Sequence, residues 1–258
     1  MRITKIEKKK RLYLLELDGQ ESLYITEDTI VRFMLSKDKE ITENELQEIR
    51  DFAQFSYGKN IALYFLSFKQ RTKKEVLDYL KKYEIKEANA VKIITALEEE
   101  RWIDDKSYVE TYVRQNGLNG DKGPALIRQK LITKGISKSV IDSCLVEVDF
   151  SNLIEKVAEK MLRKYQDKLP IRALQDKIVQ GLINKGFTYD LARKTVGQLD
   201  ISADDNMEAD LISKELEKLY RKYSRKYDGY ELKQRLIQAL ARKGFEFDQI
   251  QAVLRNYL

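Results

Sequence analysis

Apolar residues recur along this chain in a fixed frame around a Lys-Gly step. The segments RQKLITKGI (128–136), DKIVQGLINKGF (176–187) and QRLIQALARKGF (234–245) each place Lys-Gly before a large apolar residue, Ile136, Phe187 or Phe245. A degenerate copy, VLDYLKKYEI (76–85), carries Glu84 in the glycine position. Eight residues before that position stand Val76, Ile127, Ile178 and Leu236; four before it stand Leu80, Leu131, Leu182 and Leu240. Ten residues after it stand Ile94, Leu145, Val196 and Leu254. From Glu84 to Gly135 is 51 residues, from Gly135 to Gly186 another 51, and from Gly186 to Gly244 58. Self-similarity at such a period predicts tandem repeats, and about 51 residues hold three helices of about 12 with short connections.

In the first repeat the pattern predicts helices near 60–69, 73–83 and 87–101, and in the second near 106–116, 124–134 and 138–148. A glycine closing each second helix suits the left-handed residue that ends helices. Glu84 lacks that freedom, so the first repeat is expected to turn by another conformation. Pro124 and Pro170 stand at expected helix starts. Their offsets from the following glycine, with that of Asp228-Gly229, predict second helices about one turn longer in the last two repeats. Thr42/Glu45, Thr72/Glu75, Ser107/Glu110 and Asn152/Glu155 have capping-box spacing. The extra residues before the last repeat fall in DISADDNME (200–208), read as an acidic linker.

The first 35 residues read differently. RLYLLEL (11–17), the two-residue turn signal Asp18-Gly19 and QESLYIT (20–26) predict a β-hairpin, with RITKIE (2–7) as a third strand across a Lys8-Lys9-Lys10 turn. The whole is a mainly α chain of helix-turn-helix-like repeats, expected as an elongated curved solenoid with a small N-terminal sheet. Its divisions fall at 1–58 (β-hairpin and leading helix), 59–104, 105–149, 150–200 and 206–258.

Composition narrows the chemistry. With no histidine and the single Cys144, the chain has no His-based acid–base site, catalytic triad or disulfide framework. The acidic group Glu98, Glu99, Glu100, Asp104 and Asp105 reads as helix ends and caps rather than metal ligands. NGLNGDKGPA (116–125) lacks phosphate-loop order and reads as a flexible loop. No catalytic, cofactor or metal site is expected. The longest uninterrupted apolar run is Ile61 to Leu66, so no membrane span is expected and a cytoplasmic setting follows.

The net charge is +6. Lys81-Lys82, Lys134, Lys185 and Arg242-Lys243 recur at second-helix ends. There they complement the helix dipole or, aligned by stacking, would follow a phosphate backbone; the sequence leaves both readings open. KLYRKYSRKYDGY (218–230) adds Arg221, Lys222, Arg225 and Lys226. Of its tyrosines, Tyr220 and Tyr223 read as core, while Tyr227 and Tyr230 stay open. The third helices, KEANAVKIITALEEER (86–101) and SKSVIDSCLVEV (137–148), carry few side chains suited to reading base edges.

ERWIDDKSYVETYV (100–113), GPALIRQKLITKGI (123–136) and IALYFLSFKQRTKKEVLDYL (61–80) together resemble the bacterial RecX family of regulatory proteins over about residues 60–258. Trp102 and Glu84 depart from its usual pattern, both in structural positions. The resemblance implies a non-enzymatic modulator without cofactor that binds RecA and its single-stranded DNA filament. It would lie in the filament groove and restrain strand exchange, ATP hydrolysis and coprotease activity. The ten basic residues named above, from Lys81 to Lys243, are the candidate contacts of a monomer. The alternative is an autonomous, sequence-nonspecific DNA-binding protein using the same residues.

Overall fold

The computed structural model describes residues 1–19, 21–201 and 205–257. The chain divides into two compact units, Met1–Tyr112 with Gln129–Val146, and Val113–Arg128 with Glu147–Leu258.

The first unit opens with an antiparallel meander, β1 (Ile3–Lys9), β2 (Leu12–Leu17) and β3 (Glu21–Ile25). Ile3, Leu15, Leu17 and Ile25 are buried on its inner face. Lys8 and Lys9 belong to β1, paired with Tyr13 and Leu12, so the turn falls on Lys10 and Arg11 instead of the three lysines. Leu17 pairs with Glu21, and Asp18 and Gly19 of the expected turn both have positive φ. A helix absent from the sequence reading follows: α1 (Glu27–Phe33), capped by the Thr26 hydroxyl.

The expected leading helix and the helix at 60–69 are one element, α2 (Glu43–Ser67), begun by the Thr42/Glu45 capping box. No proline interrupts it. Gly58 lies inside it, where a Cβ would come within 2.5 Å of Ile93 Cδ1, so its smallness suits the packing there. α3 (Lys73–Lys82) and α4 (Glu87–Glu99) complete the first repeat. α5 (Asp105–Asn119), α6 (Pro124–Thr133) and α7 (Lys138–Val146) form the second; α8 (Ser151–Tyr165), α9 (Ile171–Asn184) and α10 (Tyr189–Gln198) form the third. α11 (Asp205–Tyr223), α12 (Gly229–Arg242) and α13 (Phe247–Tyr257) form the fourth. The second helices are 10 residues long in α3 and α6 and 14 in α9 and α12, as the proline offsets predicted.

The repeated apolar frame is the core itself. All eight residues at its −8 and −4 positions are 0% exposed. Truncating such a leucine to alanine, as in Leu131→Ala, typically costs about 2–5 kcal/mol. The frame also encodes how the second helices end. In each repeat the residue in the glycine position donates its N–H to the carbonyl two residues before the cap, and the next residue donates to the −4 leucine. These bonds are Glu84 to Lys81 and Ile85 to Leu80, Gly135 to Ile132 and Ile136 to Leu131, Gly186 to Ile183 and Phe187 to Leu182, and Gly244 to Ala241 and Phe245 to Leu240. This is a Schellman closure, in which the −4 leucine and the following apolar residue supply the accompanying hydrophobic contact. Glu84 has φ 56°, against 86°, 90° and 94° at the three glycines. The expectation that the first repeat turns differently is therefore corrected: it uses the same left-handed turn with a side chain in place.

Two of the capping-box spacings do not mark helix starts. Asp104, from the acidic group read as helix ends and caps, caps α5, its Oδ1 accepting the N–H groups of Lys106 at 2.9 Å and Ser107 at 3.1 Å, so Ser107 lies inside the helix. Asp149 similarly accepts the Ser151 N–H at 2.9 Å ahead of α8, which removes Asn152 from the cap position. The glycine-rich segment is held, not free. Asn116 is buried; its Nδ2 donates to the Lys122 carbonyl at 2.8 Å and its Oδ1 accepts the Lys122 N–H at 3.3 Å. The acidic linker shortens, because α11 already begins at Asp205; residues 202–204 lie outside the described residues.

Candidate binding surface

The recurring lysines before the glycines have specific partners. Within the first unit, the end of α6 meets the start of α3. The Thr72 hydroxyl donates to the Lys134 carbonyl at 2.9 Å, and Lys134 Nζ lies 2.6 Å from Glu75 Oε1 and 5.4 Å from the Tyr108 ring centre. Burial works against both charges, yet the bonds from Lys134 and the Thr72 amide hold the Glu75 carboxyl below its ordinary value. Glu75 and Tyr108 likewise keep Lys134 raised against its own desolvation. Within the second unit, the end of α9 meets the start of α6. The Gly123 N–H donates to the Lys185 carbonyl at 2.7 Å and the Ala125 N–H to Gly186 at 3.1 Å. Lys185 pairs with Asp121, whose carboxyl it lowers chiefly through that hydrogen bond. Lys243 reaches Glu215 of α11 at 2.8 Å and lowers that carboxyl in the same way.

A helix C-terminus thus receives donors from the N-terminus of the preceding second helix, so opposite dipole ends meet while a lysine ties the step to a carboxylate. Lys134 and Lys185 take part in this step, and Lys243 is paired within its own repeat.

The remaining candidates are exposed. Lys81 and Lys82 end α3, and Arg242 ends α12. Arg221, Lys222, Arg225 and Lys226 gather at the end of α11 and the turn after it. Arg221 approaches Glu217 at 3.6 Å with its side chain 81% exposed, and Lys222 lies 5.6 Å from the Tyr223 ring centre. Tyr220, Tyr223 and Tyr227 pack on the fourth-repeat core, and Arg235 lies over Tyr227 at 4.6 Å. Tyr230 is 78% exposed and accepts a bond from Gln234.

The acidic group also serves the fold: Glu98 pairs with Lys73, Glu100 with Lys59, and Asp105 accepts the Lys73 N–H at 2.9 Å. Burial pushes the Asp105 carboxyl up.

A second surface was missed by sequence reasoning. On α2 and α3 the rings of Phe65 and Tyr79 stack at 4.0 Å, and the Arg71 guanidinium lies 4.1 Å from the Phe65 centre. A ring has two faces, so Phe65 is sandwiched between them. Tyr79 shares a 3.2 Å hydroxyl contact with Tyr83, which pushes its phenol up to about 12; burial and the nearby Tyr64 and Tyr57 act in the same direction. Tyr64 meets Phe68 edge-on at 4.9 Å, with Arg11 from the β1–β2 turn 5.6 Å over its ring. The spacing of Tyr57, Tyr64 and Phe68 along one helix was the available signal.

Three consecutive family models cover most of the chain: the first three-helix domain of RecX over residues 59–97, the second over 104–145, and the third over both 147–196 and 207–254. The chain belongs to the RecX family. Among its relatives, the regulatory protein RecX of Streptococcus pyogenes serotype M1 is 60% identical over 258 residues, covering the whole of both chains. That of Streptococcus sanguinis (strain SK36) is 59% identical over the same span. A crystal structure of regulatory protein RecX matches with a TM-score of 0.64 and 32% identity, covering 76% of this chain and 99% of that one. The RecX structure from Lactobacillus salivarius gives a TM-score of 0.55 and 36% identity over 58% of this chain and 98% of its own. RecX membership accounts for the tandem three-helix repeats and gives the chain a regulatory role. Among the described residues no helix is long and apolar enough to cross a membrane.

Proposed function

We propose that the chain is a non-enzymatic regulator that acts as a monomer in the cytoplasm, binding RecA and the RecA–single-stranded DNA filament and restraining strand exchange, ATP hydrolysis and coprotease activity. Full-length similarity to regulatory RecX proteins supports this reading. The observation that carries it is the exposed cation group Arg221, Lys222, Arg225 and Lys226. Among the described residues, and unlike Lys134 and Lys185, these cations hold no helix to another, which leaves their charge in solvent and suited to an anionic partner. Lys81, Lys82 and Arg242 extend the set of exposed contacts.

The test adds the purified chain to RecA assembled on single-stranded DNA and follows ATP hydrolysis. Hydrolysis should fall at stoichiometric protein; unchanged hydrolysis on well-formed filaments sinks the proposal. Reversing the charge of Arg221, Lys222, Arg225 and Lys226 together should weaken filament binding by roughly tenfold or more at low salt, with a shallower salt dependence. Tight binding to naked DNA that persists at physiological salt, without effect on RecA, would favour autonomous DNA binding.

A further inference from the structure

We propose that the aromatic and cationic face of α2 and α3, built from Tyr64, Phe68 and Tyr83 with Arg11, Arg71 and Lys82, binds single-stranded nucleic acid by stacking its bases. Tyr64 is 52% exposed, Phe68 66% and Tyr83 43%, all within the first unit. Phe68 meets Tyr64, and Tyr64 and Tyr83 both lie near Tyr79, so the three open rings belong to one linked aromatic group; such rings would ordinarily be covered, since each buries substantial apolar area when packed.

Two observations select the occupant. The segment from Phe68 to Lys74 (FKQRTKK) carries four cations and no carboxylate, of which Lys73 pairs with Glu98, and the β1–β2 turn adds Lys10 and Arg11. Among the described residues, Arg11 and Arg71 contact rings but form no ion pair. Guanidinium groups set beside rings are matched by phosphate, and the open ring faces next to them are matched by unpaired bases. An acidic peptide would satisfy the cations but would leave the rings without flat partners. A duplex would offer phosphates while keeping its bases stacked inside.

Full-length protein is titrated against a fluorescent oligo(dT) of roughly 20 nucleotides, longer than the ~4–16-nucleotide footprints of small single-strand-binding folds, and against a duplex of equal length. No RecA is present, so this outcome is separate from that of the filament assay. The single strand should bind more tightly. Combined Tyr64→Ala, Phe68→Ala and Tyr83→Ala should weaken it by about tenfold or more with little change in salt slope, whereas Arg71→Gln should flatten the slope. Tyr64→Phe, which keeps the ring, should bind like the parent. Phe68→Ser alone removes the most exposed of the three rings without touching the core, and should cost about fivefold or more. Unchanged oligo(dT) binding by the folded triple variant, or by Phe68→Ser if the triple variant does not fold, overturns the proposal. So does loss of RecA binding in DNA-free solution with oligo(dT) binding intact, which would make the face a protein-docking site.

Discussion

The turn at Glu84 and the turns at Gly135, Gly186 and Gly244 have one backbone shape and different neighbours. All four close their helices with the same pair of hydrogen bonds, and all four hold positive φ. The three glycines also lie against the start of a preceding second helix. A Cβ on Gly135 would come within 2.4 Å of the Lys74 side chain. One on Gly186 would lie 2.6 Å from the Leu126 backbone nitrogen, and one on Gly244 2.9 Å from the Ala173 backbone nitrogen and Cβ. No repeat precedes the first, and Glu84 is exposed. The left-handed turn alone is therefore compatible with a glutamate at a cost of about 1–2 kcal/mol; the glycine is required where the turn is also crowded.

Substitutions separate the two causes. Gly186→Ala should cost about 3 kcal/mol or more, because backbone must move as well as φ. Gly135→Ala should be comparably damaging, because the Lys74 Cβ, 2.5 Å from the added carbon, is fixed to its own backbone and cannot swing away. Losses of only about 1–2 kcal/mol for both in thermal or urea unfolding, the cost of the left-handed turn alone, would mean that crowding plays no part. Glu84→Gly should stabilise by about 0.5–1 kcal/mol, relieving the strained φ but adding freedom to the unfolded chain. A loss of stability there would show that the Glu84 side chain has a role of its own.

The smallest effect concerns the lysine ties. Lys185 holds the folded Asp121 carboxyl below the ordinary value of 3.8. Between that lowered pKa and 3.8 the unfolded chain binds more protons, so the contribution is complete above this window and is lost as pH falls through it. Lys185→Met should remove that part of the acid dependence, a change of less than about 1 kcal/mol for a half-exposed pair. Urea midpoints at about pH 6 and about pH 3 read it, with the variant expected to lose less than the parent on acidification. An identical decline in both proteins would separate the tie from acid stability.

What could be read from the sequence was local or periodic. The −4 leucine, the glycine and the following apolar residue lie within six consecutive positions, and their repetition gave the core and the helix ends. The lysine ties could not be read this way, because Lys134 and Glu75 are 59 residues apart, and Lys185 and Asp121 64. In a chain that is 35% charged, any lysine has many carboxylates at such separations, and only the fold selects one. α1 was hidden because its seven residues offer barely two turns of periodicity beside a β-rich segment. The aromatic face was hidden for a different reason: helical spacing of rings looks the same whether the rings are covered or open.

The 25-residue helix α2 has a mechanical consequence. At about 1.5 Å per residue it is a rod roughly 37 Å long. Leu46, Ile49 and Ala53 near one end are set in the core of the β-meander, while Ala62 and Leu66 near the other are set in the core of the first repeat. The meander and the first three-helix repeat are thus threaded on one continuous axis, and neither core can be repacked without meeting the same helix.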